Sequence, residues 1–484
     1  MAGAHPSIEL FLQPAGDRGQ TLAHGLATRA LAGDRGAADT PDAPALGPDR
    51  HLDSGGDPNS LRDQGWGVIA PRGDEGDRLL ALIQPLIDRR AADQDADVPI
   101  YRVPPDMTAA DAAAWLDRKL VANELAAAIP GYLLALGRPD QVSFELQQVL
   151  ANAFSVGRLG FDIDADYEAY VHKLIASERS SASAPARAVY FTARDGTPAT
   201  ELACRALMQP CVADAFAQRK AGRFAAQDIV VLDDPDPAGA AGRLLAAATG
   251  PSVLFTCSHG AGAPAAGWRS PAEQRAQQGA LCLGDGGFLT AAMLAGATFL
   301  PGGAWLAFAC FSAGTPRHSA YHPWLARLQE HGEHDGDLSS VLASLPRDGE
   351  PPFIAALPQA ALASPGGPLA VIGHLDLAWS YAFQDVDKLS RGGRHRRFHE
   401  LVTQLVKRTR VGLAVSGSLM SSRNQVQTEL TIASDGDARA GALDAPAARG
   451  HRWMVLQDLA GYIVLGDPAA RIATVSRGSG DPAA

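Results

Sequence analysis

One pattern recurs three times in the second half of the chain: a helix-forming stretch, a break of Gly and Pro, and a short apolar run. The three runs are Val253–Cys257, Ala304–Cys310 and Leu369–Gly373. Strands that are apolar on both faces and alternate with helices are typical of a parallel sheet covered on both sides. The pattern therefore predicts an α/β fold with three layers, in which a mostly parallel sheet is flanked by helices.

The chain has 484 residues, and its composition changes along its length. The first part is rich in Ala, Gly, Asp and Pro without a sustained apolar period, so we expect it to be disordered. The predicted parts are a disordered leader (1–64), a smaller N-terminal α/β subdomain (65–178), a polar linker (179–187), the main domain (188–475) and a disordered tail (476–484).

The net charge of the chain limits the kinds of partner that it can bind. A formal net charge of −11 argues against sequence-independent binding of nucleic acid or anionic lipid. Two uncharged stretches, Gly286–Pro316 and Phe353–Leu375, are long enough to prompt a test for membrane spans, but each is broken midway by Pro-Gly-Gly. We therefore predict neither a nucleic-acid nor a membrane partner.

The five cysteines are an odd number spread thinly over a long chain, which favours free thiols and a reducing compartment. The first residues, MAGAHPSIEL, show no basic and apolar signal pattern. We expect a cytoplasmic protein in which one thiol has a chemical role.

The residues that follow the apolar runs are the candidate functional residues, because ligands of an open parallel sheet bind at the carboxyl ends of its strands. His259 and Cys310 follow two of the runs, and neighbouring strands would bring them together. An imidazole beside a thiol favours the thiolate and later protonates a leaving amine. The N–H groups of Gly260 and Cys310 would form an oxyanion hole.

No metal or cofactor site is predicted. His318, His322, His331 and His334 lie among acidic residues, but the Gly and Pro around them indicate a solvated loop. The other four cysteines are interpreted as packing residues. A strand-end histidine also often serves only local hydrogen bonding, so the residues alone leave both readings of His259 open.

The motifs LFTCSHGAG and WLAFACFSAGTP resemble the His-Gly and Ala-Cys strand ends of caspase-fold (clan CD) cysteine peptidases, especially the gingipain-like and CHAT-type bacterial branches. Further similarity lies in Ile129–Gly137, in Val156-Gly157-Arg158 and in the Leu-Gly-Asp-Pro that ends at Pro468. The resemblance implies a caspase-like catalytic domain over 188–475, with Cys310 as nucleophile and His259 as base. The Gln-Ala-Cys of true caspases is absent, so specificity for Asp is not implied.

The resemblance also implies a protein or peptide substrate and, as in other members of the clan, activation by chain cutting or by a protein activator. Asp376 and His374 follow the third run, where related enzymes with basic specificity place an acidic residue in the substrate pocket. We expect Asp376 either to favour Arg or Lys before the cut bond or to cap a helix at Leu377–Phe383. The rival functional class is a catalytically silent binding or signalling module.

Overall fold

The computed structural model describes residues 7–15, 21–22, 25–27, 56–122, 129–179, 185–234, 236, 238–284, 286–332, 336, 338–347, 349–384, 393–434 and 446–472. The predicted tail and most of the predicted leader and linker lie outside these residues. In the described part of the chain, none of the helices combines the length and the apolar composition that crossing a bilayer requires.

The strands of the described residues are β1 (Ser7–Ile8), β2 (Leu12–Pro14), β3 (Leu26–Ala27), β4 (Trp66–Pro71), β5 (Ile100–Val103), β6 (Tyr132–Leu136), β7 (Ser155–Leu159), β8 (Arg187–Thr192), β9 (Ile229–Leu232), β10 (Ser252–Cys257), β11 (Gly260–Gly262), β12 (Leu281–Cys282), β13 (Phe288–Leu289), β14 (Ala304–Phe308), β15 (Gly314–Thr315), β16 (Phe353–Ile354), β17 (Ala370–His374) and β18 (Tyr462–Gly466).

The helices are α1 (Leu61–Gln64), α2 (Asp74–Leu82), α3 (Gln84–Gln94), α4 (Ala109–Ala122), α5 (Phe144–Leu150), α6 (Asp164–Arg179), α7 (Pro198–Ala203), α8 (Gln209–Lys220), α9 (Ala240–Ala247), α10 (Pro271–Gln277), α11 (Ala291–Leu294), α12 (His322–His331), α13 (Leu338–Ser344), α14 (Ala356–Ala363), α15 (Arg396–Val406), α16 (Val411–Val415), α17 (Ser421–Ser434) and α18 (Pro446–Ala460).

One sheet of ten strands runs through the described part of the chain in the order β5-β4-β6-β7-β18-β17-β14-β10-β8-β9. Neighbouring strands pair in parallel except β17 and β18, which are antiparallel. The sheet therefore consists of two parallel halves that run in opposite directions and meet at β17 and β18. The predicted mostly parallel α/β fold, consistent with a caspase-like fold, is confirmed.

Helices cover both faces of the sheet. On one face, the Phe398 ring of α15 contacts Phe255 and Phe308 from β10 and β14. Trp305 points to the opposite face of β14, because side chains alternate along a strand, and it contacts Phe299. Both faces of the central strands are thus buried, which explains why their sequences are continuous apolar runs.

Two separate helices cover the stretch around Pro85. α2 ends at Leu82 and α3 begins at Gln84, with Pro85 in the first turn of α3. Proline has no N–H to donate within a helix but is tolerated at a helix start, where that N–H would be unpaired. Pro85 therefore lies at the start of a second helix rather than inside a single one.

The expectation of a disordered leader is wrong for residues 7–15, which we call the cleft strand. Its residues Ile8 and Leu10–Leu12 are almost completely buried, and β2 forms part of a four-stranded sheet with β11, β12 and β13. The apolar run is too short to show a sustained period. Its burial depends on partners that are more than two hundred residues away along the chain.

A buried ion-pair network joins elements of the half of the sheet that contains β18. Asp467 follows β18 directly, and its carboxylate accepts hydrogen bonds from Arg90 of α3 and from the Trp66 indole of β4. Arg90 also binds Glu178 of α6 through two further hydrogen bonds. Arg90 and Asp467 are fully buried, so each charge depends on the other for compensation.

We predict that Asp467→Ala lowers the free energy of unfolding by about 3–5 kcal/mol, because the substitution removes one partner of a buried charge pair. Arg89→Ala is the control, since Arg89 forms a more exposed ion pair with Asp93 and should cost less than about 1 kcal/mol. Urea unfolding of both variants measures the difference. Equal losses would show that the buried network contributes nothing specific.

Candidate active site

The site lies at the edge of the sheet where β10, β14 and β17 end. Cys257 is opposite Phe308, and Ala307 is opposite Gly373. His259 and Cys310 each lie two residues beyond the Cys257–Phe308 pair. The close contact of Gly260 with the backbone of Cys310 confirms that the two strand ends meet, since a Cβ on Gly260 would lie 1.9 Å from the Cys310 carbonyl oxygen.

Cys310 lies in a tight turn after β14. The next residue, Phe311, has a φ of 55°, in the left-handed region that non-glycine residues rarely adopt. Hydrogen bonds from Phe311 N–H to Asp376 O and from Ala313 N–H to His374 O hold the turn against the residues that follow β17. The surrounding structure thus fixes a strained backbone at the position of the thiol.

The Cys310 thiol is fully buried. Its Sγ accepts a hydrogen bond of 3.2 Å from the N–H of Ala378. Burial raises the pKa of this thiol well above its usual value, while the backbone N–H groups of Ala378 and Phe11 act in the opposite direction. Exposure to water or to a proton acceptor is required before the thiolate forms.

His259 is oriented by the loop that follows β8. Its Nε2 lies 2.9 Å from Thr197 Oγ1 and 3.6 Å from Asp195 Oδ2. Thr197 donates its own hydroxyl proton to Asp195 Oδ1, so we infer that its oxygen accepts the Nε2–H of the histidine. This assignment leaves the proton-free Nδ1 as the base, and Nδ1 has no hydrogen-bond partner.

Two features of the surroundings act on the pKa of His259 in opposite directions. Burial lowers the pKa of its imidazole, and the Asp195 carboxylate partly offsets this effect. No hydrogen bond joins His259 to Cys310. The arrangement suits a general base that becomes an imidazolium only during a reaction, with Asp195 close enough to stabilise the new charge.

Two backbone N–H groups converge on one oxygen beside the thiol. Gly260 N–H and Cys310 N–H donate to the carbonyl oxygen of Phe11 in the cleft strand, at 2.8 Å and 3.3 Å. Two donors aimed at one carbonyl oxygen next to a nucleophile have the geometry of an oxyanion hole. The role of the Gly260 N–H as an oxyanion-hole donor stays a prediction.

The backbone carbonyls of His374 and Asp376 bind the turn that contains Cys310. Their side chains form hydrogen bonds with residues outside the site. His374 contacts Asp376 through Nδ1 and the carbonyl of Asp458 through Nε2. Although burial lowers the pKa of His374, hydrogen bonding and attraction to Asp458 raise it overall. His374 thus connects β17 to α18, and none of its hydrogen bonds reaches Cys310 or His259.

The Asp376 carboxylate accepts hydrogen bonds from Ser319 Oγ and from Leu377 N–H. It faces a surface cavity whose lining includes neither Cys310 nor His259. The expected helix over Leu377–Phe383 is only a short 3₁₀ turn, Ser380–Ala382. Asp458 binds the N–H groups of this turn at Trp379 and Ala382, so the expected helix cap at Asp376 is wrong.

Sequence reasoning missed Asp195 and Thr197. Both follow β8, which pairs with β10 at the same edge of the sheet. The rule that selected His259 and Cys310 also applies to this strand end. Examining every strand end of the sheet, and not only those that follow the repeated pattern, would have found them.

No protein-family model matches the sequence, and no curated protein does. Among solved structures, the fold is similar to the Arg-specific cysteine proteinase gingipain R (RGPB), with a TM-score of 0.49, 12% identity, and coverage of 85% of this chain and 79% of that chain. A structure described only as that of a protease gives a TM-score of 0.47 and 12% identity, over 85% of this chain and 78% of that one.

A complex of the pro- and mature domains of RgpB from Porphyromonas gingivalis gives a TM-score of 0.44 and 13% identity, over 85% of this chain and 80% of that one. The solved structures that the chain resembles therefore include the gingipain-like group indicated by the sequence motifs. At this identity, the likeness concerns the fold alone.

We predict that Asp376→Asn flattens the pH dependence of stability. Burial raises the pKa of Asp376 from 3.8 to about 6, so the folded chain holds this proton more tightly than the unfolded chain. Stability from this group is complete below pH 3.8 and falls as the pH rises through about 6, by up to about 3 kcal/mol.

Urea unfolding between pH 4 and pH 7 measures this effect. Asn keeps an oxygen acceptor for Ser319 and Leu377 but does not titrate, so the fall should shrink. Asp106→Asn, at an exposed carboxylate that lines the same cavity, should retain the slope of the unmodified protein. The same slope in Asp376→Asn would contradict the prediction.

Proposed function

We propose that the protein is a cysteine endopeptidase in which Cys310 is the nucleophile and His259 is the base. The observation that carries this proposal is the convergence of the Gly260 and Cys310 N–H groups on a peptide carbonyl oxygen beside the thiol. An oriented imidazole with a free nitrogen completes the set of groups that acyl transfer requires.

The reaction begins when the thiol proton passes to Nδ1 of His259 and sulfur attacks the carbonyl carbon of the substrate. The carbonyl oxygen becomes an oxyanion, which the N–H groups of Gly260 and Cys310 stabilise. His259 then donates its proton to the leaving amine, and the peptide bond breaks to leave a thioester on Cys310. Water activated by His259 hydrolyses the thioester and restores the thiol.

Asp195 and Thr197 are positioning residues in this scheme. Thr197 fixes the ring orientation and the protonation of Nε2, and Asp195 stabilises the imidazolium. The fold brings this carboxylate within 3.6 Å of the imidazole, where the attraction is strong because the groups are shielded from water.

The finer parts of the assignment stay predictions. A preference for basic residues before the cut bond depends on Asp376, whose carboxylate is already bonded to Ser319 and Leu377. The cytoplasmic location and the protein activator also stay predictions.

We expect Cys310→Ala to abolish cleavage of an unfolded protein such as denatured casein, because the nucleophile is removed. His259→Ala should lower the rate by about 10²–10⁴-fold without unfolding the protein. Mass spectrometry of the products after long incubation gives the rates. Cys211→Ala is the control, since the thiol of Cys211 on α8 donates to His395 O, outside the site.

Labelling with a peptide electrophile separates the peptidase from the silent module. The peptidase predicts a label on Cys310 that depends on His259. Cleavage that persists in Cys310→Ala would disprove the nucleophile. A thiol that is labelled at the same rate without His259 would favour the binding module.

We predict that Asp195→Asn lowers kcat/KM by about 10-fold to 10³-fold and moves the acidic limb of its pH profile to lower pH. The limb moves because Asp195 raises the pKa of His259 and Asn does not. Asp214→Asn is the control, since Asp214 forms a similar pair with His395. A lower rate with an unmoved limb would indicate a purely structural role.

A further inference from the structure

The cleft strand crosses the site in an extended conformation. Before Phe11 it pairs with the chain that follows β17: Phe11 N–H donates to Ala378 O at 3.2 Å, and Ser380 N–H donates to Glu9 O at 3.1 Å. Between these bonds, Leu10 forms an antiparallel bridge with Trp379. This part of the strand therefore extends a backbone edge beside the thiol, as peptides do when they bind by strand addition.

After Phe11, the cleft strand changes its partner. β2 pairs in parallel with β11, and Ala15 N–H donates to Gly262 O at 3.0 Å. The carbonyl of Phe11 lies at the junction of the two pairings, where it accepts from both N–H groups of the oxyanion hole. In a peptidase, this is the position of the carbonyl of the bond to be cut.

The Phe11 side chain lies in an aromatic site. Its ring centroid is 4.8 Å from that of Phe308, in an edge-to-face arrangement, and 6.1 Å from that of Phe383. The His259 ring is 5.8 Å away. Phe11 is fully buried, so this site accepts a large apolar side chain.

We propose that residues 9–12 occupy the cleft as a substrate does, with Phe11 in the position of the residue before the cut bond. The substrates would then be extended peptides with a large apolar residue at this position, and the cleft strand would inhibit the resting chain. This inference rests on the proposed peptidase function, and it predicts a specificity opposite to the one expected from Asp376.

The carboxylates around the site already have other partners, which supports an apolar preference. The Asp195 carboxylate interacts with Thr197, Thr200 and His259. The Asp376 carboxylate is bonded to Ser319 and Leu377. A guanidinium in place of the Phe11 ring would contact Phe308 and Phe383 instead, and a buried charge without a partner is costly.

The same contacts explain how the strand inhibits. Phe11 occupies both donors of the oxyanion hole, and the Cys310 side chain beneath it is fully buried. A substrate can enter only after these backbone bonds and the contacts of the ring are broken. The strand thus competes with substrate for the same donors.

The test uses the full chain with Phe11→Asp, which places a charge against the aromatic site and should release the strand. We expect alkylation of Cys310 by iodoacetamide to accelerate by about tenfold or more, the change that corresponds to about 1.4 kcal/mol. Phe216→Asp is the matched control, since Phe216 on α8 is 49% exposed, and it should leave the rate unchanged. Phe11→Ala, which adds no charge, should act in the same direction.

Specificity is measured on the released variant with two fluorogenic peptides, acetyl-Ile-Glu-Leu-Phe and acetyl-Ile-Glu-Leu-Arg, each linked to aminomethylcoumarin. We expect kcat/KM to be at least about tenfold higher for the Phe peptide. A free peptide with the sequence of residues 7–15, SIELFLQPA, should inhibit competitively, whereas SIELDLQPA should not.

Three results would overturn the inference: alkylation unchanged in both Phe11 variants, a preference for the Arg peptide, or no inhibition by SIELFLQPA. A different result would disprove the proposed peptidase function. If neither peptide is hydrolysed in a Cys310-dependent manner while alkylation accelerates, the peptidase is disproved and only the occupation of the cleft is supported.

Discussion

The structure depends on the antiparallel pairing of β17 with β18. The two halves of the sheet run in opposite directions, so the carboxyl ends of the first half lie at the edge opposite to the site. β18 belongs to the first half by direction but comes last in the chain, and its pairing with β17 joins the two halves. Asp467, directly after it, carries the charge that compensates Arg90 in the interior. The network of Asp467, Arg90, Glu178 and Trp66 therefore fixes the end of β18 to α3, α6 and β4 of its own half of the sheet.

Much of the fold can be predicted from the sequence, because parallel strands that are buried on both faces are continuous apolar runs. The predicted apolar runs match the observed strands β10, β14 and β17 closely, since these strands are buried on both faces and bounded by Gly and Pro. The same signal located Gly260 and Cys310 at neighbouring strand ends. It carried no information on where a side chain points after the strand, which is why a helix cap at Asp376 was one of the two expectations although its carboxylate accepts a hydrogen bond from Ser319.

Asp195, Thr197 and the cleft strand were not predicted for a different reason. Asp195 and Thr197 act through a loop whose shape is set by mutual hydrogen bonds, and single residues in a loop have no periodic signal. The cleft strand was missed because its burial is entirely non-local: Phe11 contacts Gly260, Cys310 and Ala378, which are far from it in the sequence. Its surroundings in the sequence, rich in Gly, Pro and Asp, hide the three-residue apolar run Leu10–Leu12. Sequence propensities describe helices and strands with a regular local pattern. They do not describe a short segment that is buried only by contacts with distant residues.

The position of the cleft strand early in the chain has a consequence for biosynthesis. Residues 9–12 leave the ribosome long before Cys310, and β18, which closes the sheet, is among the last elements to follow. Domains fold as units as their residues are completed, so residues 9–12 are already attached when Cys310 becomes ordered. At no stage of synthesis is the surrounding of Cys310 complete before the segment that covers this thiol.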